Sequence, residues 1–343
     1  MSVKRWDEMM QTLDKQLIEV RRSLHREPEL SYEEFKTTDK LRTWLADAHI
    51  SVLDLPLPTG LIAQIGQVEG PVVAIRCDID ALPIEEQTGL PFASEIPGIM
   101  HACGHDFHTA VILGAAYILK AREAELPGRV KVLFQPAEET GHGAESVLAS
   151  GGLDDVDAIF GLHNSPELPA GTFGTRSGPL TAGVDRFEIS VEGIGAHAAT
   201  PENGVDAIVN AAQIITALQT IVSRQCGARE TVVLSVTRIN GGHTWNVLPE
   251  RVELEGTVRT YNEEIRRGMP EKITRIIEGI AGAAGARARL HWAPGPPATV
   301  NDGVWADFSK EIAGQAGYEV LDIPPQWGER ILHCICSEFP ALL

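Results

Sequence analysis

Val72-Val73-Ala74-Ile75-Arg76-Cys77, followed without a break by Asp78-Ile79-Asp80-Ala81-Leu82-Pro83, is the stretch that decides the fold. Its first six residues are nearly all apolar, which reads as a strand covered on both faces at the centre of a sheet. Carboxylates then stand at its carboxyl end, where open α/β sheets place their chemistry. Outward from it the same arrangement recurs. Leu61 to Ile65 reads as a strand, Val130 to Phe134 as a buried one delivering Gln135-Pro136-Ala137-Glu138-Glu139-Thr140, and Ala158 to Leu162 as another ending at His163-Asn164. The loop His101-Ala102-Cys103-Gly104-His105-Asp106 opens a helix that stays apolar through Leu119. Three strand ends and one loop of a parallel sheet thus terminate in ligand-type or acid–base side chains.

On an extended loop alternate residues project to one side, so His101, Cys103 and His105 share a face, and Gly104 lets the backbone bend between the last two. Cys103, His105, Glu139 and His163 make a mixed soft and hard donor set suited to Zn, Mn, Co or Ni in a site with open positions. Glu138 then stands beside Glu139 as a carboxylate outside the ligand set, able to act as general base for an activated water. Taken singly each motif has a plainer reading: a buried Cys with helix-capping histidines, or a solvated acidic turn. Asp78 reads either as a ligand helper or as a hydrogen-bonded strand-end carboxylate. His108 reads as packing and Cys77 as a small core residue, while His101 and His142 carry no assignment.

The rest of the chain frames this core. Trp6 to about His25 has helical apolar spacing (Met10, Leu13, Leu17, Val20, Leu24), and Ser31 is placed to cap a second helix running to about Ala48. From Gly183 the texture changes. Strands at Phe187–Val191, Val232–Ile239, Arg251–Arg259 and 286–292 alternate with helices at Ala207–Val222 and Glu263–Ala284, the β-α-β-β-α-β order of a ferredoxin-like domain. Residues 183–298 are therefore expected as an insertion, with 1–182 and 299–343 forming the first domain, including a helix to about Ala316 and a strand at Tyr318 to Leu321. A net charge of −18 over 343 residues argues against nucleic-acid binding and against docking on anionic membranes. Five scattered cysteines fit a reduced cytoplasmic protein better than a disulfide framework. Neither an apolar signal core nor a membrane-length apolar run is visible.

These stretches, with Leu24-His25-Arg26-Glu27-Pro28-Glu29-Leu30, Gly195-Ala196-His197-Ala198, Asn246-Val247-Leu248-Pro249 and Arg259, resemble the metal-dependent N-acyl-amino-acid amidohydrolases. That family is related to aminoacylase and carboxypeptidase-type exopeptidases and includes hippurate hydrolase and the auxin-conjugate hydrolases. The resemblance implies a zinc-exopeptidase-like α/β catalytic domain with an inserted ferredoxin-like α+β lid domain that dimerises. It implies two divalent ions on Cys103, His105, Glu139 and His163, with Asp80 as a carboxylate near them and Glu138 as catalytic base. It implies that His197, usually reaching in from a partner subunit, polarises the scissile carbonyl, and that Asn246 and Arg259 contact the substrate, an arginine suiting bidentate carboxylate binding. The substrate class is then an N-acyl amino acid, cleaved at its amide by a cytoplasmic homodimer. A dipeptide-cleaving metallo-exopeptidase and a non-catalytic remnant are the alternatives, with Cys103 as a thiol nucleophile far behind.

The tail departs from the family, which ends with a Gly-Gly-Glu-Asp-Phe stretch and a later histidine ligand. With chosen synonymous codons, Trp327 to Leu343 read one base earlier becomes Met-Gly-Gly-Glu-Asp-Phe-Ala-Leu-Tyr-Leu-Gln-Arg-Val-Pro-Gly-Ala-Phe, the family pattern. The expectation is a one-base deletion near codon 326, hence a truncated, frameshifted C-terminus, a site short of one ligand and weak or absent turnover. Sequencing the gene tests it, and an in-frame gene without that string one base away would refute it.

Overall fold

The computed structural model describes residues 3–326 and 341–342. The shifted-frame segment, including His333, lies outside these residues apart from Ala341–Leu342. The chain divides into two compact units, Met1–Gly178 with Val300–Pro324 in one and Pro179–Thr299 in the other.

In the first unit a six-stranded sheet runs in the order Ser51–Val52, Leu61–Ile65, Arg129–Gln135, Val72–Asp78, Ala158–Gly161, Ala341–Leu342. The expected central strand pairs in parallel with Arg129–Gln135 on one side and Ala158–Gly161 on the other. The sheet is mixed, however, and not wholly parallel: Leu61–Ile65 runs antiparallel to Arg129–Gln135. An apolar run encodes burial on two faces and carries no information about strand direction. Alternation sorts the side chains between layers. Ile65, Cys77, Val132 and Phe134 face helices Val3–Arg26, Phe35–Asp47 and His105–Ala121 through Leu24, Leu41, Leu45 and Leu113. Ile62, Ala74, Leu133 and Ile159 face the other way, onto Ala144 and Val147 of helix Gly143–Ala149. Each fully buried Leu or Ile is worth about 1.5–3 kcal/mol, and this two-sided burial fixes where the three parallel strands end.

The second unit is ferredoxin-like. Its sheet order is Val232–Gly241, Arg251–Thr260, Gly183–Glu192, Arg287–Pro294, every pair antiparallel. Phe187, Ile189, Leu254 and Val258 pack on Ile214 and Leu218 of helix Ala207–Thr220 and on Ile273 and Ile277 of helix Glu263–Ala283. Arg251–Thr260 buries Val252, Leu254 and Val258 and leaves the intervening residues part-exposed, as its alternation requires. Asp206 and Asn262 cap the two helices, each accepting two backbone N–H bonds.

Candidate metal centre

Three parallel strands deliver their carboxyl-end loops to one edge of the first sheet, and helix His105–Ala121 begins there. Gly104, the residue before that helix, has φ +90°. A Cβ at this position would lie 2.6 Å from the Asn164 Oδ1, so only glycine lets the 103–105 turn sit against the 163–164 strand end.

Cys103 Sγ stands 3.4 Å from His163 Nε2, and ligand atoms of Cys103, His105 and His163 all lie within 4.8 Å of one another. The same limit holds for His105, Glu138 and Glu139. The imidazoles are oriented for ligation. His105 Nδ1 donates to the Asp80 carbonyl at 2.8 Å, and His163 Nδ1 to the Asn164 carbonyl at 2.7 Å. In its neutral form each ring then turns the Nε2 lone pair toward the cluster, the arrangement in which a backbone acceptor fixes the tautomer of a metal-binding histidine. His105 Nε2 and Glu139 Oε1 are buried without a hydrogen-bond partner among the described residues. Buried polar atoms are rarely left so, and a divalent ion between them satisfies both. The donor set of thiol, imidazoles and carboxylate thus fits the metals expected from the sequence.

The electrostatics point the same way. Burial opposes a charge on His105, yet Asp78 and Asp80 outweigh it and hold its proton affinity well above the ordinary imidazole value. Surroundings that stabilise a proton on Nε2 also stabilise a metal ion there. Asp78 itself is held well below the usual carboxylate range, because the charges of His105, Arg76 and His108 overcome its burial. Burial pushes the Glu139 carboxyl and the Cys103 thiol up, a penalty that ion binding reverses for a coordinated thiolate. Asp80 links these parts. Its Oδ1 lies 3.3 Å from His105 Nδ1, and its Oδ2 accepts from Glu139 N at 3.0 Å and from Ser31 Oγ at 2.7 Å.

Ser31 was expected to cap helix Phe35–Asp47. Instead the Glu29 carboxylate accepts from Lys36 N and Thr37 N in that helix's first turn, and the Ser31 hydroxyl is committed to Asp80. Charge-assisted bonds from Glu29 are the stronger cap. His108, expected as packing, stacks edge-on to His163 with 4.4 Å between ring centroids and places Nδ1 2.6 Å from Asp78 Oδ1. Arg76 Nη1 donates to the other oxygen of Asp78. The sequence signal for this network was the Arg76-x-Asp78 spacing at a strand end, which puts both side chains on one face.

In the second unit, His197 and Asn246 come together. Ala196–His197 pairs with Val247–Leu248, and Ala198 N donates to the Asn246 carbonyl. His197 is exposed, and its Nδ1 accepts the Ala199 N–H at 3.1 Å. A neutral His197 therefore carries its proton on Nε2. Arg259 stands on strand Arg251–Thr260 opposite Val233 and Val184, and its buried Nη1 finds no partner among the described residues.

Residues 74–334 match the model of peptidase family M20/M25/M40. N-acetylcysteine deacetylase of Bacillus subtilis (strain 168) is 52% identical over 307 residues, covering 89% of this chain and 81% of that protein. N-acyl-L-amino acid amidohydrolase of Geobacillus stearothermophilus is 46% identical over 268 residues, 78% of this chain and 72% of that one. Among solved structures, the Bacillus subtilis YXEP protein, described as a dinuclear metal-binding peptidase of the M20 family, superposes with a TM-score of 0.87 at 46% identity. It covers 97% of this chain and 88% of its own. Matched over most of its length at these identities, the chain belongs to peptidase family M20/M25/M40 and is a hydrolase of amide bonds.

Proposed function

We propose that this enzyme hydrolyses the amide bond of N-acyl amino acids with a divalent-metal pair held by Cys103, His105, Glu139 and His163. The observation that carries the reading is the convergence of those donors beside a second glutamate, with His105 Nε2 and Glu139 Oε1 buried 3.7 Å apart and without a hydrogen-bond partner among the described residues. The metals of choice are Zn, Mn, Co or Ni. When bound, the ions supply Lewis-acid polarisation of the carbonyl and lower the pKa of the attacking water. Glu138 takes the proton of that water as its oxygen joins the acyl carbon, and passes it to the amine nitrogen as the C–N bond breaks. His197, protonated on Nε2, is assigned to the developing oxyanion. Asn246 and the unpaired Arg259 Nη1 are assigned to the free carboxylate of the substrate. That carboxylate contact separates acyl amino acids from internal peptide bonds.

The names of two relatives, a deacetylase of N-acetylcysteine and an amidohydrolase of N-acyl-L-amino acids, support the substrate class. We further infer a homodimer formed through the second unit, whose domain limits we take as 183–298. Val232–Gly241 is an edge strand, and on it Ile239 is 54% and Val233 36% exposed, an apolar edge of the kind that pairs with another chain. No helix among the described residues is long and apolar enough to cross a membrane, and a thiolate ligand at Cys103 favours the reducing cytoplasm.

The test is metal content together with hydrolysis of a panel of N-acetyl and N-benzoyl amino acids and dipeptides. It is run on this chain and on a frame-restored version. Chelator-sensitive cleavage that favours the acyl amino acids is expected of the frame-restored version, and weak or absent turnover of this chain. Preference for dipeptides would make the enzyme an exopeptidase. Absence of both bound metal and cleavage in both proteins would overturn the reading.

A further inference from the structure

The loop that carries Glu138 is held from both sides by buried carboxylates. Asp80 accepts the Glu139 N–H, and Glu34 Oε1 accepts the Ala137 N–H at 2.8 Å. Ala137 is fully buried and has φ +50°, a left-handed conformation that an L-residue keeps only when its surroundings hold it there. Its carbonyl is taken by Gly143 N at 3.1 Å. A Cβ on Gly143 would fall 1.7 Å from the Pro136 carbonyl oxygen, so the loop closes tightly on that side too.

Glu34 is an unusual residue to find there. It precedes helix Phe35–Asp47 as its N-cap but makes no side-chain capping bond, that duty having passed to Glu29. Its side chain turns inward with no exposure, and Oε2 accepts the Thr59 hydroxyl at 2.6 Å. A carboxylate is suited to accept from two segments at once; burial pushes the Glu34 carboxyl up, and the bonds from Thr59 and Ala137 offset that desolvation in part. The same short stretch reaches the neighbouring strand end, since Leu30 bridges Ala81, Ala81 N donates to the Glu29 carbonyl, and Ser31 binds Asp80.

We propose that Glu34 is the positioning residue for Glu138, its carboxylate holding Ala137 in the left-handed turn from which the base emerges, with residues 29–34 bracing both strand-end loops. The proposal rests on Glu138 being the base, but its first readout does not depend on that.

Hydrogen–deuterium exchange of the full chain is followed in the peptide spanning residues 135–143, with metal content, kcat and KM on N-acyl amino acids measured alongside. In Glu34→Ala, exchange in this peptide is expected to rise about tenfold or more, because the Ala137 N–H loses its acceptor. Its kcat should fall roughly 30-fold with KM within about twofold and metal content unchanged, the pattern of a misplaced group acting in the transition state. Glu34→Gln keeps an oxygen for Ala137 and an amide donor for Thr59, and should restore both readouts to within about threefold. Thr59→Val, which frees Oε2 only, should raise exchange several-fold and serves where Glu34→Ala does not fold. Unchanged exchange in Glu34→Ala, or in Thr59→Val if that must stand in, overturns the proposal. So does a kcat loss that Glu34→Gln fails to rescue or that follows metal loss. Acceleration of exchange where even the frame-restored version hydrolyses no acyl amino acid would leave the brace standing and count against the functional reading instead.

Discussion

Glu138 and Glu139 are sequence neighbours to which we assign different tasks. Glu139 has one carboxylate oxygen buried without a hydrogen-bond partner among the described residues and its main-chain N–H tied to Asp80, which suits a fixed ligand. Replacing Glu138 by Gln is expected to lower kcat by roughly 10³-fold, the size of a lost general base, while bound metal, measured by elemental analysis, stays at the wild-type level. Gly104→Ala meets both a positive φ and the Asn164 side chain. It should lower stability by about 2 kcal/mol in urea titration and weaken metal binding by moving the 163–164 strand end. At this scale the ligand-type residues Cys103, His105, Glu139 and His163 were legible, because chemistry-bearing side chains stand out where strands end. His108 and Glu34 were not. Their role depends on Asp78, Thr59 and Ala137, which lie 25 or more residues away, and nothing in local sequence announces such partners.

Elements are joined near the site by a buried ion pair. His25, at the end of helix Val3–Arg26, bonds Asp106 in the first turn of helix His105–Ala121, with Nδ1 to Oδ2 at 2.9 Å. Asp106 is lowered to about 2, since its burial is outweighed by the His25 hydrogen bond and by the charges of His101, His25 and Arg21. His25 is raised, first by its hydrogen bond to Asp106, against a burial penalty. A carboxylate lowered by folding stabilises above its unfolded value of about 3.9, and that stability is lost as pH falls toward about 2. A histidine raised by folding contributes fully below about 6.5, and loses its contribution as pH rises through the folded value. The pair should therefore stabilise the metal-free protein most between about pH 4 and 6.5. Asp106→Asn should remove about 2 kcal/mol there and flatten the acid limb of urea midpoints measured against pH. An unchanged acid limb would show that this carboxylate is not the titrating group. Strand and helix limits followed apolar spacing closely, whereas the Ser31 cap was misjudged because Glu29, two residues earlier, competed for the same N–H groups.

For the whole molecule, a site built from segments at 103–105, 138–139 and 163 exists only in the folded state, so metal binding must feed back on stability. Zn or Mn at about 100 times its Kd should stabilise the first unit by about 2.7 kcal/mol, seen as a rise of several degrees in thermal denaturation that His105→Ala abolishes. Ile239→Lys on the edge strand of the second unit is expected to convert the proposed dimer to a monomer in light scattering without unfolding it, because a charge on an exposed strand edge opposes edge pairing. The amino-acid sequence by itself determined the elements, the contrast between a sheet buried on both faces and one with a wet face, and which strand ends carry metal-type and acid–base side chains, since period and composition are local properties. Only the tertiary structure decided that the first sheet is mixed. It also decided that Asp80 and Glu34 grip the amides on either side of Glu138, and that His108 backs onto His163. Direction of pairing and the partner of a buried polar group are set by residues far apart in the chain, which meet only when the core closes.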